Sequence, residues 1–152
     1  SDLMKLVIGN DHAGYSLKET VIETAQKLGY EIVDLGIGAE EHVYTTPIAE
    51  KVSQYVVEQK AKGVLICGSG VGMAIAANKI RGVRCVNCTD VYTCQTSRKH
   101  NNTNILALGG RVIGKGLAEE LVHTWLVTEY EAGRRETAYN LITELENKQR
   151  KS

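Results

Sequence analysis

The sequence lacks an excess of charge of either sign, any long apolar run, and phenylalanine. Its 18 Lys and Arg residues balance 18 Asp and Glu residues, and a neutral chain without a long basic run is a poor ligand for nucleic acid. No apolar stretch approaches the roughly 20 residues of a membrane span, and residues 6–8 are too short for a signal-peptide core. We therefore expect a soluble, cytoplasmic protein that binds neither nucleic acid nor membrane.

The length and composition suit one globular domain. A chain of 152 residues falls within the range of roughly 100–200 residues typical of single domains, and its 43% apolar and 24% charged content is ordinary. With one proline and no low-complexity stretch, the chain shows no linker. We expect the domain to span residues 4–149, with Ser1-Asp2-Leu3 resembling a cloning remnant ahead of Met4.

Cysteine is sparse but clustered. The spacing of Cys85, Cys88 and Cys94, followed by His100, raises the alternative of a zinc site. However, Cys85 and Cys88 lie in an apolar run typical of a buried strand, on which residues three apart point to opposite faces. We predict three small core residues and no metal.

Apolar runs that predict strands alternate along the chain with apolar residues at helical spacing. We predict strands at residues 4–9, 30–35, 64–67, 83–88 and 105–108. Helices are predicted at residues 17–28, after Pro47, and at residues 73–79, 117–125 and 138–145. The alternation predicts an α/β fold, a Rossmann-like three-layer α/β/α arrangement with a five-stranded parallel sheet.

Ligands bind such sheets at the carboxyl ends of the strands. This rule selects Asp11 and His12 after the first strand, Cys67 and the glycine loop after the third, and Arg111 after the fifth. His100 instead precedes the fifth strand, at the opposite end. It would have to reach the site by another route, such as from a neighbouring subunit.

The loop Gly68-Ser69-Gly70-Val71-Gly72 lets a ligand approach the backbone closely. A dinucleotide site, with Asp90 as its acidic residue, is disfavoured because the third small position of G-x-G-x-x-G falls on Met73. A purely structural turn remains an alternative.

Cys67 is either a buried strand cysteine or, at the start of the next helix, a thiolate that acts as base or nucleophile. The Ser69 hydroxyl and the loop amides resemble a cradle for negative charge on a substrate oxygen.

Five motifs in this order resemble those of ribose-5-phosphate isomerase type B and the related galactose-6-phosphate and allose-6-phosphate isomerases. The resemblance covers residue 4 to about residue 133. The motifs are residues 10–14 (NDHAG), 66–72 (ICGSGVG), 76–79 (AANK), 97–102 (SRKHNN) and 110–114 (GRVIG).

The resemblance implies aldose–ketose isomerisation through an enediolate, without metal or organic cofactor, in a homodimer or tetramer whose sites lie at the subunit interface. It makes Cys67 the base, with Ser69 holding the oxygen that gains charge. His100 with Asp11 would assist ring opening. The substrate-binding positions would be His12, Arg111 and Arg134 for the phosphate, and Asn101 and the amides of Gly68, Ser69, Gly70, Val71 and Gly72 for the sugar.

Two departures from the family pattern leave the substrate open. Thr45-Thr46-Pro47 stands where the family commonly has Asp-Tyr-Pro, and Ala138 stands where a second arginine usually follows four residues after Arg134. Tyr44 and Arg135 are candidate replacements. His42 and His123 match no family position and are predicted to be structural. Ribose 5-phosphate is the expected substrate; a six-carbon sugar phosphate, another sugar, or a non-catalytic sugar-phosphate-binding subunit are the alternatives.

Overall fold

The computed structural model describes residues 4–150 and contains, within them, five strands and six helices. The proposed cloning remnant, residues 1–3, lies outside the described residues. The strands are β1 (Lys5–Asn10), β2 (Glu31–Asp34), β3 (Lys62–Cys67), β4 (Cys85–Asn87) and β5 (Ile105–Gly109). The helices are α1 (Tyr15–Lys27), α2 (Thr45–Gln59), α3 (Val71–Ala77), α4 (Val91–Asn101), α5 (Lys115–Val127) and α6 (Glu136–Gln149), and a short 3-10 turn (His12–Gly14) precedes α1.

The five strands form one parallel sheet in the order β2-β1-β3-β5-β4. Successive side chains of β1 enter two different cores: Leu6 and Ile8 pack with α1, α4 and α5, whereas Val7 packs with α2 and α3. Trp125 of α5 is fully buried in the first core. Helices therefore cover both faces of the sheet, and the predicted three-layer fold is confirmed.

Of the six α-helices in residues 4–150, α4 is the one that the apolar pattern does not predict, because few of its residues are apolar and its buried face is formed by Cys94, Ser97 and Arg98. The side chain of Asp90 caps this helix by accepting the Thr93 N–H at 2.7 Å. The dinucleotide alternative gave Asp90 a different role, as the acidic residue of a dinucleotide site.

Two element boundaries also differ from the prediction. Helix α2 begins at Thr45, two residues before Pro47, because a proline in the first turn loses no helical hydrogen bond. Strand β4 is shorter than the predicted 83–88 and pairs only with β5, at the edge of the sheet.

The cysteines of the zinc alternative are divided between the two cores. Cys85 packs on the α2 and α3 side, whereas Cys88 and Cys94 are buried on the other. The prediction that Cys85 and Cys88 face opposite ways is confirmed, and within residues 4–150 no cluster of His, Cys, Asp or Glu is arranged to hold a metal ion. None of the helices described is both long and apolar enough to cross a membrane.

Candidate active site

Three loops meet where β1, β3 and β5 end. The parallel register places Asn10 beside Ile66, and Cys67 beside Gly109. Beyond the strands, backbone hydrogen bonds continue to join the chains: the Arg111 N–H donates to the carbonyl of Gly68 at 3.0 Å. The sheet thus brings together the site residues predicted at its carboxyl edge, namely Asp11, His12, Cys67, the 68–72 loop and Arg111.

Cys67 ends β3 with its side chain directed toward α2 and α3, and only 5% of its surface is exposed. The N–H of Gly70 donates to its sulfur at 3.1 Å. Gly70 adopts a left-handed conformation, with φ of +87°, and a Cβ there would lie 2.4 Å from Oδ1 of Asn87. Only glycine therefore lets the loop curl back over the thiol.

Ser69 and Arg111 place polar groups at the loop that follows Cys67. The Ser69 hydroxyl accepts the N–H of Val71 at 3.2 Å, which holds the hydroxyl at the start of α3. The Arg111 side chain extends over Gly68, with its Cδ 3.7 Å from where a Cβ would stand. The amides of Gly70 and Val71, expected from the sequence to bind the sugar, are thus already bonded to the side chains of Cys67 and Ser69.

Cys85 and Cys94 are poor candidates for chemistry. Burial raises the pKa of Cys85 to about 12. The pKa of Cys94 is raised by its hydrogen bond with Cys88, which is the largest cause, and by burial. Both therefore remain protonated thiols at neutral pH, whereas the thiolate is the reactive form of cysteine.

Asp11 organises the loop after β1. One carboxylate oxygen accepts the N–H of Gly14 at 3.0 Å and caps the 3-10 turn, while the other accepts the hydroxyl of Thr45 at 3.2 Å. The sequence analysis did not predict this contact between Thr45 and a candidate site residue. The one feature of the sequence that drew attention to Thr45 was that Thr45-Thr46-Pro47 departs from the family pattern.

His12 lies beside a second imidazole that the sequence analysis predicted to be structural. Its Nδ1 is 3.1 Å from the carbonyl oxygen of Ala39, and its ring stacks on His42 with centroids 4.1 Å apart. No local pattern predicts this contact, because 30 residues separate the two histidines.

His100, Asn101 and Arg134 lie away from this cluster. Helix α4 starts after the carboxyl end of β4 and ends before the amino end of β5, so His100 and Asn101, in its last turn, lie at the opposite edge of the sheet. The N–H of Glu131 donates to the carbonyl of Lys99 at 2.9 Å, which places the segment leading to Arg134 at that edge as well. Within one chain, the predicted residues thus form two groups.

Arg134 also lies outside the last helix, although the sequence analysis related it to Ala138 by helical spacing. Helix α6 begins at Glu136, so Arg134 lies in the preceding turn, after Gly133 with φ of +91°. The rule that residues i and i+4 share a helical face therefore does not apply to Arg134 and Ala138.

Comparison with known proteins identifies the family. The family model described as Ribose/Galactose Isomerase matches residues 6–142. The chain is 40% identical to ribose-5-phosphate isomerase B of Escherichia coli, over 96% of this chain and 99% of the relative, and 37% identical to D-erythrulose-4-phosphate isomerase of Pectobacterium atrosepticum, over 86% and 88%. The solved structure of ribose-5-phosphate isomerase B from Clostridium thermocellum matches with a TM-score of 0.92 at 43% identity, covering 97% of this chain and all of that one. The chain therefore belongs to the ribose/galactose isomerase family and is an aldose–ketose isomerase.

Proposed function

We propose that this protein interconverts ribose 5-phosphate and ribulose 5-phosphate, with Cys67 as the base. The observation that carries the proposal is the placement of the Cys67 sulfur, which is buried at the end of β3 and accepts the Gly70 N–H at 3.1 Å. A hydrogen bond from an amide stabilises negative charge on sulfur. The thiol can thus carry charge between accepting and returning a proton.

In the proposed reaction, the Cys67 thiolate removes the proton from C2 of the open-chain aldose and an enediolate forms. The same proton returns to C1, and the hydroxyl proton on O2 passes to O1, which yields the ketose without net gain or loss of atoms. The Ser69 hydroxyl, together with the free amides of its loop, stabilises the oxygen that becomes negative. No other base is required for the carbon-to-carbon step.

Ring opening must precede this step when the substrate is the cyclic aldose. We propose that His100 exchanges the required proton, since imidazole does so near neutral pH. Because His100 lies at the amino edge of its own sheet, we propose that it reaches the Cys67 of a second copy, with Asp11 of that site beside it. Asn101 would bind the sugar hydroxyls from the same side.

The phosphate in this proposal lies among His12, Arg111 and Arg134. Arg111 extends over Gly68 at the carboxyl edge, whereas Arg134 would come from the second copy, as His100 does. The proposed protein is accordingly a homodimer, or a tetramer built from such dimers. We place it in the cytoplasm, where a reducing environment keeps a catalytic thiol free.

A second candidate substrate follows from the comparisons and from Ala138. One relative is a D-erythrulose-4-phosphate isomerase, and the arginine absent at Ala138 would alter the distal end of the site. A substrate of different length, with four or six carbons, is therefore the alternative to ribose 5-phosphate.

An isomerisation assay over a panel of sugars tests these proposals. The panel contains ribose 5-phosphate, erythrulose 4-phosphate, allose 6-phosphate, galactose 6-phosphate and unphosphorylated ribose. We expect the highest kcat/KM with ribose 5-phosphate. A higher kcat/KM for a four- or six-carbon sugar phosphate would contradict the proposed substrate but agree with the proposed phosphate site. A preference for free ribose would contradict the phosphate-binding roles of His12 and the arginines.

A further inference from the structure

The segment of residues 36–45, which joins β2 to α2, is tied at both ends to the loop after β1. At its start, the buried amide of Asn10 donates to the Ile37 carbonyl and accepts the Ile37 N–H, both at 3.2 Å. At its end, the Thr45 hydroxyl donates to Asp11 at 3.2 Å. Asn10 and Asp11 directly precede His12, so this segment cannot shift without moving the backbone that carries His12.

Between these two ties, the segment holds the ring of His12 itself. The Ala39 carbonyl lies 3.1 Å from Nδ1, and His42 stacks on the ring with an interplanar angle of 28°. A carbonyl oxygen only accepts, so Nδ1 carries a proton, and Nε2 is the nitrogen left for another ligand. A phosphate oxygen also accepts, so Nε2 must carry a second proton when it binds the phosphate. The hydrogen bond limits the direction of Nδ1, and the stack limits the plane of the ring.

Both imidazoles are exposed, and an exposed side chain normally samples several rotamers. Fixing His12 before the substrate arrives removes part of the entropy that binding would otherwise cost. The turn that carries His12 also adjoins the catalytic loop: the N–H of Asp11 donates to the carbonyl of Ile66 at 3.1 Å. The turn that carries His12 is therefore bonded directly to the strand that ends at Cys67.

We propose that His42 is a positioning residue for substrate binding, which holds His12 by stacking so that Nε2 is presented to the phosphate. This inference rests on the proposed function, since that is what gives His12 a phosphate ligand. It assigns a role to a residue that the sequence analysis left structural. It also makes the 36–45 segment part of the substrate site, at a place where the chain departs from its family.

The test compares His42→Ala and His42→Phe with Val43→Ala, an exposed neighbour in the same segment, as the control. Loss of the stack should raise KM for ribose 5-phosphate about two- to tenfold, the range that an aromatic pair supports, with kcat changed less than about twofold. His42→Phe keeps a flat ring and should restore most of the affinity. The control should match the wild type.

A Phe variant as weak as the Ala variant would overturn the proposal, as would an Ala variant with unchanged KM or one in which kcat alone falls. A second readout needs no substrate: in nitrogen-edited NMR spectra, His12 should show a protonated Nδ1 and ring-current shifts from His42. His42→Ala should abolish those ring-current shifts, while Val43→Ala should not. Unchanged His12 signals in His42→Ala would overturn the proposal independently of activity.

The substrate assignment can fail separately. If wild-type protein does not convert ribose 5-phosphate, the same variants are compared by the binding of inorganic phosphate. Weaker phosphate binding in His42→Ala, restored in His42→Phe, would support the positioning role although the proposed substrate is wrong. Equal phosphate binding by all three variants would overturn the positioning role.

Discussion

The backbone N–H of Gly70 donates to the sulfur of Cys67, three residues earlier in the chain, at 3.1 Å. The contact exists because Gly70 adopts a left-handed conformation in which a Cβ would lie 2.4 Å from Asn87 Oδ1. Gly70 thus determines which polar group contacts the sulfur of Cys67.

Gly70→Ala should impair both the fold and the reaction. The left-handed conformation and the close contact with Asn87 should cost about 1–3 kcal/mol of stability, and kcat should fall as the amide moves away from the sulfur. Gly116→Ala is the matched control, because a Cβ there meets nothing within 4 Å in helix α5 and should stabilise by about 0.4–1 kcal/mol. Thermal unfolding and steady-state kinetics measure both effects; wild-type kcat in Gly70→Ala would contradict the role of the amide.

Cys67→Ala should abolish isomerisation with little loss of stability. The substitution leaves a small buried space, at a cost of about 1 kcal/mol, but removes the group that carries the proton between C2 and C1. Cys85→Ala, which alters a partly buried cysteine at the edge strand, should remain active. An alkylating agent should inactivate wild-type enzyme, and ribose 5-phosphate should slow that inactivation. Substantial turnover by Cys67→Ala would refute the assignment of the base.

Mixing two inactive variants tests whether the site is shared between copies. In a 1:1 mixture of Cys67→Ala and His100→Asn, half of the dimers are mixed and each has one intact site of two, so about a quarter of wild-type activity should return. The double variant, mixed with either single variant, should recover nothing, because no site then contains both wild-type residues. Absence of recovery in the first mixture, once native mass spectrometry has shown subunit exchange, would mean that the site is built within one chain.

Ala138→Arg should strengthen the binding of ribose 5-phosphate. Ala138 is exposed in the first turn of α6, which follows Arg134. An arginine there would add a charge-assisted hydrogen bond to the phosphate in the site of the second copy, lowering KM about tenfold. Asn140→Arg, two residues further along the same helix, adds the same charge in another direction and should leave KM unchanged. Equal effects of both substitutions would indicate general attraction of the anion rather than a contact.

Lys62 should make the stability depend on pH. Burial, assisted by the positive charge of Arg98, lowers the pKa of Lys62 to about 8. The unfolded chain keeps this proton up to about pH 10.4, so between pH 8 and pH 10.4 it binds more protons than the folded chain, and the Lys62 contribution to stability rises with pH. The raised pKa of Cys85 acts in the opposite direction. The difference between wild type and Lys62→Met isolates the Lys62 contribution.

In urea unfolding, Lys62→Met should have a larger free energy of unfolding than the wild type at pH 7. This difference should shrink as the pH approaches 10. An advantage that stays constant from pH 7 to pH 10 would show that Lys62 titrates at its ordinary pKa.

The sequence alone determined the order of the strands and of every helix except α4, the parallel sheet and the edge at which the glycine loop lies. These depend on local periodicity and on the handedness of strand–helix–strand connections, both of which act over short stretches of chain. The separation of His100 from Cys67 also followed from chain order, because a residue that precedes a strand lies at the opposite edge from one that follows its parallel neighbour.

Only the tertiary structure decided which side chains meet across those connections. The stack of His42 on His12, the Thr45 hydroxyl on Asp11 and the start of α6 after Arg134 all involve irregular segments without periodicity. Helix α4 was missed for a related reason: its buried face is built from polar side chains that find partners far along the chain, as Arg98 does at the carbonyl of Thr128. Such contacts arise when distant segments pack together, and no local pattern contains them.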